Sequence, residues 1–198
     1  MLDLGTAFTL SSFNDTRFGM ATPTNDGCLI TDDGYFSGTG TALTYQGSVT
    51  NFTAECWIEI LADVNVMATN VTLFGKLQSG SDYTFGIGLD ITSSYDVVNL
   101  IKTSDGSFIT HVGKIQPWNR YHLAVTYDGS NMKSYINSNL FTTTAATGTL
   151  TWNNANSWLI GNTGSGHAHI IISNCRFSNT AKSGDTIKEI YLAGRPSW

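Results

Sequence analysis

Glu55 and Glu59 stand four residues apart in a segment that alternates as a β-strand does, so both carboxylates fall on one face. Two carboxylates on one face can serve as acid and nucleophile in glycoside cleavage. On a flat strand such positions lie about 13 Å apart at Cα. A retaining mechanism brings the carboxyls to about 5–5.5 Å, so twist and side-chain lean would have to close the gap. Trp57 fills the slot between them and offers no ionisable partner. The same residues have a second use. Trp57, and the loop residues Trp118 and Trp152, can lay indole rings on the apolar faces of sugars while Glu55 and Glu59 accept hydroxyl hydrogen bonds. Trp158 is a further candidate ring. The expected carbohydrate-binding set is therefore Glu55, Trp57, Glu59, Trp118 and Trp152, with no catalytic residue expected. The plain alternative is that these rings cover sheet faces or a subunit interface.

Other chemistries find less support. There is no G-x-S-x-G nucleophile motif for the histidines to serve. His167 and His169 share a strand face, but two imidazoles do not complete a zinc site. Asp32-Asp33-Gly34 and Ser104-Asp105-Gly106 are oxygen-rich and read as loops or plain turns. Their carboxylate density is low for calcium. No cofactor is expected, with weakly bound calcium left open. Cys28, Cys56 and Cys175 are odd in number and widely spaced, which argues against a disulfide framework. Cys56 and Cys175 occupy apolar-phase positions and read as small buried hydrophobes.

The elements that would hold these residues are strands. The 198-residue chain is 41% hydrophobic and only 13% charged, with Ser, Thr, Asn and Gly making up the difference. That length suits one β-domain. The composition is poor in helix formers. The net charge of −5 comes with singly scattered Lys and Arg, so no basic stripe for nucleic acid is present. No apolar run is long enough for a membrane span. The N-terminus shows no basic-then-apolar leader, so synthesis in the cytoplasm without a signal peptide is expected.

Short apolar runs bounded by turn residues predict strands at Cys28–Thr31, Ala42–Tyr45, Phe52–Leu61, Val71–Leu77, Tyr83–Asp90, Tyr95–Lys102 and Phe108–Val112. Further strands are predicted at Tyr121–Tyr127, Met132–Ile136, Leu140–Thr143, Ser157–Ile160 and Ala168–Phe177. In the third of these, Phe52, Ala54, Cys56, Ile58 and Ile60 share the core face. Thr53, Glu55, Trp57 and Glu59 face away from it, toward solvent or a ligand. Leu123, Val125 and Ile172 are expected in the same core. Asp128-Gly129-Ser130-Asn131 and Asn137-Ser138-Asn139 turn the chain through a meander. One helical turn is predicted through Thr186–Tyr191, capped by Ser183 or Asp185 and stopped by Gly194 and Pro196.

These pieces carry a family resemblance. Phe52-Thr53-Ala54-Glu55-Cys56-Trp57-Ile58 resembles the opening core strand of laminin-G-like, concanavalin-A-like domains, which typically reads F-T-I-E-A-W-V. Tyr121–Gly129 followed by Met132–Asn137 is similar to that family's central hairpin. Leu159-Ile160-Gly161, Ile172–Asn179 and Ile187–Tyr191 resemble its closing strands and terminal helix. The resemblance spans about residues 28–193. Ser173 and Asn174 stand where the family often has Asp-Glu. Asn137-Ser138 replaces the hairpin Asn-Gly.

The resemblance implies an all-β fold, a two-sheet antiparallel jelly-roll sandwich with one short C-terminal helix. Residues 28–198 would form the jelly roll, and residues 1–27 either an arm that docks on a partner or edge strands of the same sandwich. The implied function is a non-enzymatic, lectin-like binding or structural module. The expected setting is a virion surface, as a capsid-decorating or fibre-associated phage protein, with other virion or surface proteins or glycans as partners and homo-oligomers open. Two alternatives stand beside it: a glycoside hydrolase using Glu55 and Glu59, and a cellular adhesion protein.

Overall fold

The structure is a computed structural model, and it describes residues 6–7, 16–24, 27–38, 49–61, 71–79, 82–90, 94–150, 158–162 and 168–194. The strands are β1 (Thr6–Ala7), β2 (Thr16–Thr24), β3 (Gly27–Gly38), β4 (Phe52–Ile60), β5 (Val71–Ser79), β6 (Asp82–Asp90) and β7 (Asp96–Thr103). They continue with β8 (Gly106–Lys114), β9 (Arg120–Tyr127), β10 (Asn131–Ile136), β11 (Asn139–Ala145), β12 (Trp158–Asn162) and β13 (Ala168–Ser178). One helix, α1 (Gly184–Gly194), follows them. The predicted strand Ala42–Tyr45 lies outside the described residues.

Every pairing is antiparallel, and the main path runs β11-β10-β9-β4-β13-β3-β12-β5-β6-β7-β8. The path folds over itself into two five-stranded layers, β11-β10-β9-β4-β13 and β12-β5-β6-β7-β8. Strand β3 joins them. Its Cys28–Asp32 part pairs with β13, and its Phe36–Gly38 part pairs with β12. Along its other edge β3 pairs with β2, while β1 pairs with the far end of β13. The Asp32-Asp33-Gly34 run, expected as a loop or turn, is instead internal to β3. Its flanks Ile30, Thr31 and Tyr35, Phe36 have strong strand preference, and strand pairing on both sides outweighs the local turn signal.

The core lies between the layers and follows the alternation of the strands. Phe52, Ala54, Cys56, Ile58, Ile60, Leu123, Val125 and Ile172 are all buried. An aromatic cluster bridges the layers. Phe52 on β4 meets Phe85 on β6 at 5.4 Å and Phe177 on β13 at 5.5 Å. Trp158 on β12 stacks on Phe74 at 5.6 Å and meets Phe177 edge-on at 5.3 Å. Offset and edge-on rings at these separations add about 0.5–1.5 kcal/mol per pair beyond their buried area. Cys56 and Cys175 are buried and neither forms a disulfide. A polar tie also crosses the interior, where the Asn99 side-chain amide of β7 donates to Ser134 Oγ of β10 at 2.8 Å.

The turns follow their chemistry. Asn137 and Ser138 both take positive φ, 49° and 65°, the pair that a two-residue hairpin of matching twist requires. Asn137 tolerates this conformation and also accepts from the His122 amide through Oδ1 at 2.9 Å. Asp128 Oδ1 accepts from the amides of Ser130 and Asn131 at 3.0 and 2.7 Å, closing the preceding turn. Ser183 caps α1, its Oγ accepting from the Thr186 amide at 3.2 Å.

Candidate functional site

The outward face of β4 is not open. Thr53 Oγ1 accepts from the Lys182 amide at 2.9 Å and donates to the Thr180 carbonyl at 2.7 Å, which leads the chain back across this face. Helix α1 then covers it, with Ile187 packed against Ala124 and Tyr135. Tyr191 stacks on Trp57, with centroids 5.6 Å apart and planes 14° from parallel. Glu55 is 1% and Trp57 4% exposed. The sequence expectation that both would meet a ligand is therefore corrected. Period-two alternation identified their face, and a helix about 130 residues downstream seals it.

Beneath the helix, His122 Nε2 lies 3.0 Å from Glu55 Oε2, with both side chains buried. Trp57 sits beside the imidazole at 5.3 Å. No sugar can reach Glu55 in this arrangement, so Glu55 and Glu59 cannot flank a scissile bond. This removes the geometry that the alternative reading, a glycosidase dyad of Glu55 and Glu59, needs.

Two of the expected residues stay accessible, at one end of β4. Glu59 is half-buried, and its carboxylate is 3.9 Å from Arg120 Nε. Trp118, 63% exposed, projects from the loop between β8 and β9. Its amide donates to the Ile60 carbonyl at 2.8 Å, and its φ of 62° is uncommon for a bulky residue. Trp152 lies outside the described residues. Trp158 is buried in the core.

The opposite layer holds a feature that the residue types did not signal. On β6, Phe85, Ile87 and Leu89 point into the core, so Gly86, Gly88 and Asp90 face outward. On β7, Val98 and Leu100 alternate outward between buried Val97, Asn99 and Ile101. Register aligns Gly75, Gly86 and Leu100 in one row, and Thr72, Gly88, Val98 and His111 in the next. The missing side chains leave a groove of about 300 Å³ across β5 to β8. It is lined by Thr72, Tyr83, Gly86, Gly88, Asp90, Val98, Leu100 and His111, among others.

Tyr83 forms a wall of this groove. Its hydroxyl accepts from Thr72 Oγ1 at 3.1 Å, and its ring crosses Gly75, where an added Cβ would meet Tyr83 Cδ1 at 3.0 Å. The ladder between β5 and β6 shifts register three times, at Leu73, at Thr84 and at Gln78. These bulges set Tyr83 on the outward face. At the far side His111 Nδ1 is 2.7 Å from Asp96 Oδ2, while Asp96 Oδ1 accepts from the Gly113 amide at 3.0 Å. The arrangement offers an aromatic wall, a glycine floor, an apolar strip and hydrogen-bonding groups at both ends. The sequence carried one faint trace of it, glycines at alternate positions 86 and 88 of a strand.

Ser104 and Asp105 form the turn between β7 and β8, and the Asp105 carboxylate accepts from Thr147 Oγ1 at 2.7 Å and Ser104 Oγ at 3.0 Å. Among the described residues no three His, Cys, Asp or Glu side chains gather as a metal cluster. His167, which the sequence places on one strand face with His169, lies outside them.

A family model described as the concanavalin A-like lectin/glucanases superfamily, laminin G type, matches residues 31–188. No curated protein sequence matches the chain. Among solved structures, the binding domain of botulinum neurotoxin serotype C1 aligns with TM-score 0.70 at 15% identity, over 91% of this chain and 47% of that one. A botulinum neurotoxin type C structure, described as interacting with two ganglioside molecules, aligns with TM-score 0.68 at 15% identity, over 91% and 46%. Trypanosoma rangeli sialidase aligns with TM-score 0.62 at 16% identity, over 87% of this chain and 28% of that one. The chain thus spans between about a quarter and a half of these proteins. At such identities the likeness is one of fold.

Proposed function

The chain belongs to the concanavalin A-like lectin/glucanase superfamily, and from that premise we propose that it works as a non-catalytic glycan-binding module whose sugar sits in the groove across β5 to β8. One observation carries the reading: a glycine-floored groove of about 300 Å³, walled by Tyr83, on an outward sheet face. That volume is at the lower end of small-molecule sites and suits one or two sugar rings. Glycines let a ring approach the backbone closely. Tyr83 offers an aromatic edge and a hydroxyl. A botulinum neurotoxin type C structure, described as interacting with two ganglioside molecules, shares the fold, and that likeness favours a glycan as the ligand here.

The non-catalytic part of the proposal is supported by the burial of Glu55 and its pairing with His122. Incubation with β-glucans and related polysaccharides should release no product. Turnover abolished by Glu55→Gln or Glu59→Gln would overturn it. A virion or other surface as the setting, with surface proteins as further partners, belongs to the same proposal and rests on analogy of fold.

Gly86→Val tests the groove. A Cβ at this position meets nothing nearer than Tyr83 Cδ1 at 3.8 Å, so the change fills the floor without forcing the backbone. On a glycan array the wild-type chain should bind, while Gly86→Val and Tyr83→Ala lose binding with melting midpoints within a few degrees. Undiminished binding by both variants would place the sugar elsewhere.

A further inference from the structure

We infer that His111 is the residue by which the groove reads a sugar hydroxyl, accepting from it through Nε2, and that Asp96 is the positioning residue that keeps that nitrogen an acceptor; the inference rests on the groove being the sugar seat. The backbone sets the pair. Val97 stands opposite Gly113 and Val98 opposite His111, so Val112 is an extra residue in β8, a bulge. Bulges re-aim side chains and recur beside functional sites. Here Val112 turns into the core, and His111 faces outward beside Val98, where both line the groove.

Asp96, two residues before Val98 on β7, shares its outward face. Both of its carboxylate oxygens are engaged. Oδ1 accepts from the Gly113 amide at 3.0 Å, and Oδ2 faces His111 Nδ1 at 2.7 Å. A carboxylate only accepts, so Nδ1 must carry the hydrogen of this bond. In the neutral imidazole Nε2 is then bare, with its lone pair available. The Asp96 side chain is 14% exposed and that of His111 59%, so the ring is anchored from behind while its outer part stays accessible. An exposed ion pair adds little to stability, and the consequence of this one lies in what it does to the ring. A carboxylate behind an imidazole fixes both its orientation and its tautomer. A fixed tautomer is a chemical filter: the bare nitrogen bonds a hydroxyl that donates to it, and a group with an acceptor alone leaves the contact unmade.

The experiment uses amide and long-range proton–nitrogen NMR on the isotope-labelled full chain, in mildly alkaline buffer where imidazoles are neutral. Lactose, maltose and mannobiose are the probes, each with its singly deoxyfluorinated derivatives; fluorine keeps a weak acceptor and removes the donor. The His111 ring should show hydrogen on Nδ1 and none on Nε2. A disaccharide that shifts the Gly86 and Gly88 amides should bind His111→Ala roughly 3–10-fold more weakly, the share of one neutral hydrogen bond. One fluorine position should cost the wild-type chain a similar factor and cost His111→Ala nothing further, because two changes to one contact do not add. Asp96→Asn keeps a carbonyl oxygen for the Gly113 amide and turns its NH2 toward Nδ1. The ring hydrogen should then move to Nε2, and the penalty for that fluorine should shrink. Full additivity between His111→Ala and every fluorine position would overturn the contact and leave the groove as the sugar seat. An unchanged tautomer and fluorine penalty in Asp96→Asn would overturn the positioning role. If no probe shifts the Gly86 and Gly88 amides, the sugar seat and the contact fall together.

Discussion

His122 Nε2 and Glu55 Oε2 face each other at 3.0 Å on neighbouring strands, sealed from water by α1. Burying two ionisable groups costs desolvation that their attraction barely offsets, and removing one partner strands the other. His122→Ala should therefore lower stability by about 3–5 kcal/mol. Replacing both, as Glu55→Leu with His122→Phe, should recover most of the loss. Urea unfolding of the two single variants and the double variant checks this; a fully additive double variant would show that the pair is not coupled.

Gly194, the last residue of α1, is set against Trp57. A Cβ built there would lie 2.9 Å from the indole Nε1 and 3.4 Å from two ring carbons. Trp57 has no room to yield, being held between Tyr191 and His122. Gly194→Ala should thus cost about 1–3 kcal/mol through overcrowding. The indole emission should also shift toward longer wavelength as the helix end lifts. An unchanged spectrum and midpoint would mean that the helix end relaxes freely.

Lys76 is 1% exposed, and burial pushes its amine down from 10.5 to about 8. Trp158 provides partial relief, its ring centroid 5.8 Å from Nζ. Below pH 8 the folded state must hold a buried cation. Between pH 8 and 10.5 the unfolded state binds more protons than the folded one, so this residue's contribution to stability rises with pH. The gap of about 2.5 pH units corresponds to roughly 3 kcal/mol. Lys76→Met should be more stable than wild type at pH 7, with the advantage shrinking toward pH 10.5. Parallel denaturation curves across that range would refute the assignment.

Strand β2 pairs along β3 from Thr16 to Thr24, apart from one bulge. Deleting the chain up to Thr24 bares the backbone donors and acceptors of one edge of β3. The shortened protein should melt earlier and aggregate, because an unprotected edge templates pairing with other chains. Size-exclusion chromatography and a thermal melt decide the matter. A truncated chain with unchanged midpoint that fails to assemble on a particle or oligomer would instead make residues 1–27 a docking arm.

Strand identity was largely legible because period-two alternation is local. Phe52–Leu61 was predicted and β4 covers Phe52–Ile60, with its core face as expected. What lies over the other face of a strand is not a local property. Trp57 alternates as an exposed residue would, and only the distant Tyr191 and Gly194 make it a buried one. The groove escaped notice for a different reason. Its floor is Gly86 and Gly88, residues that offer no functional group, and its wall is set by slips in register that no spacing rule encodes. Asp32-Asp33-Gly34 shows the reverse error, a strong turn signal overruled by partners on both flanks.

Strand β3 belongs to both layers at once, tied to β13 through Cys28–Asp32 and to β12 through Phe36–Gly38. Two separate sheets can slide or part along their greasy interface; two sheets stitched by one continuous strand cannot do so without tearing its backbone ladder. The sandwich is therefore a spring with one leaf rather than a clam with two. Its groove on one layer and its helix-sealed face on the other are fixed in relative position, so the proposed sugar seat is already cut to shape, and little ordering would be left for the protein to undergo on binding.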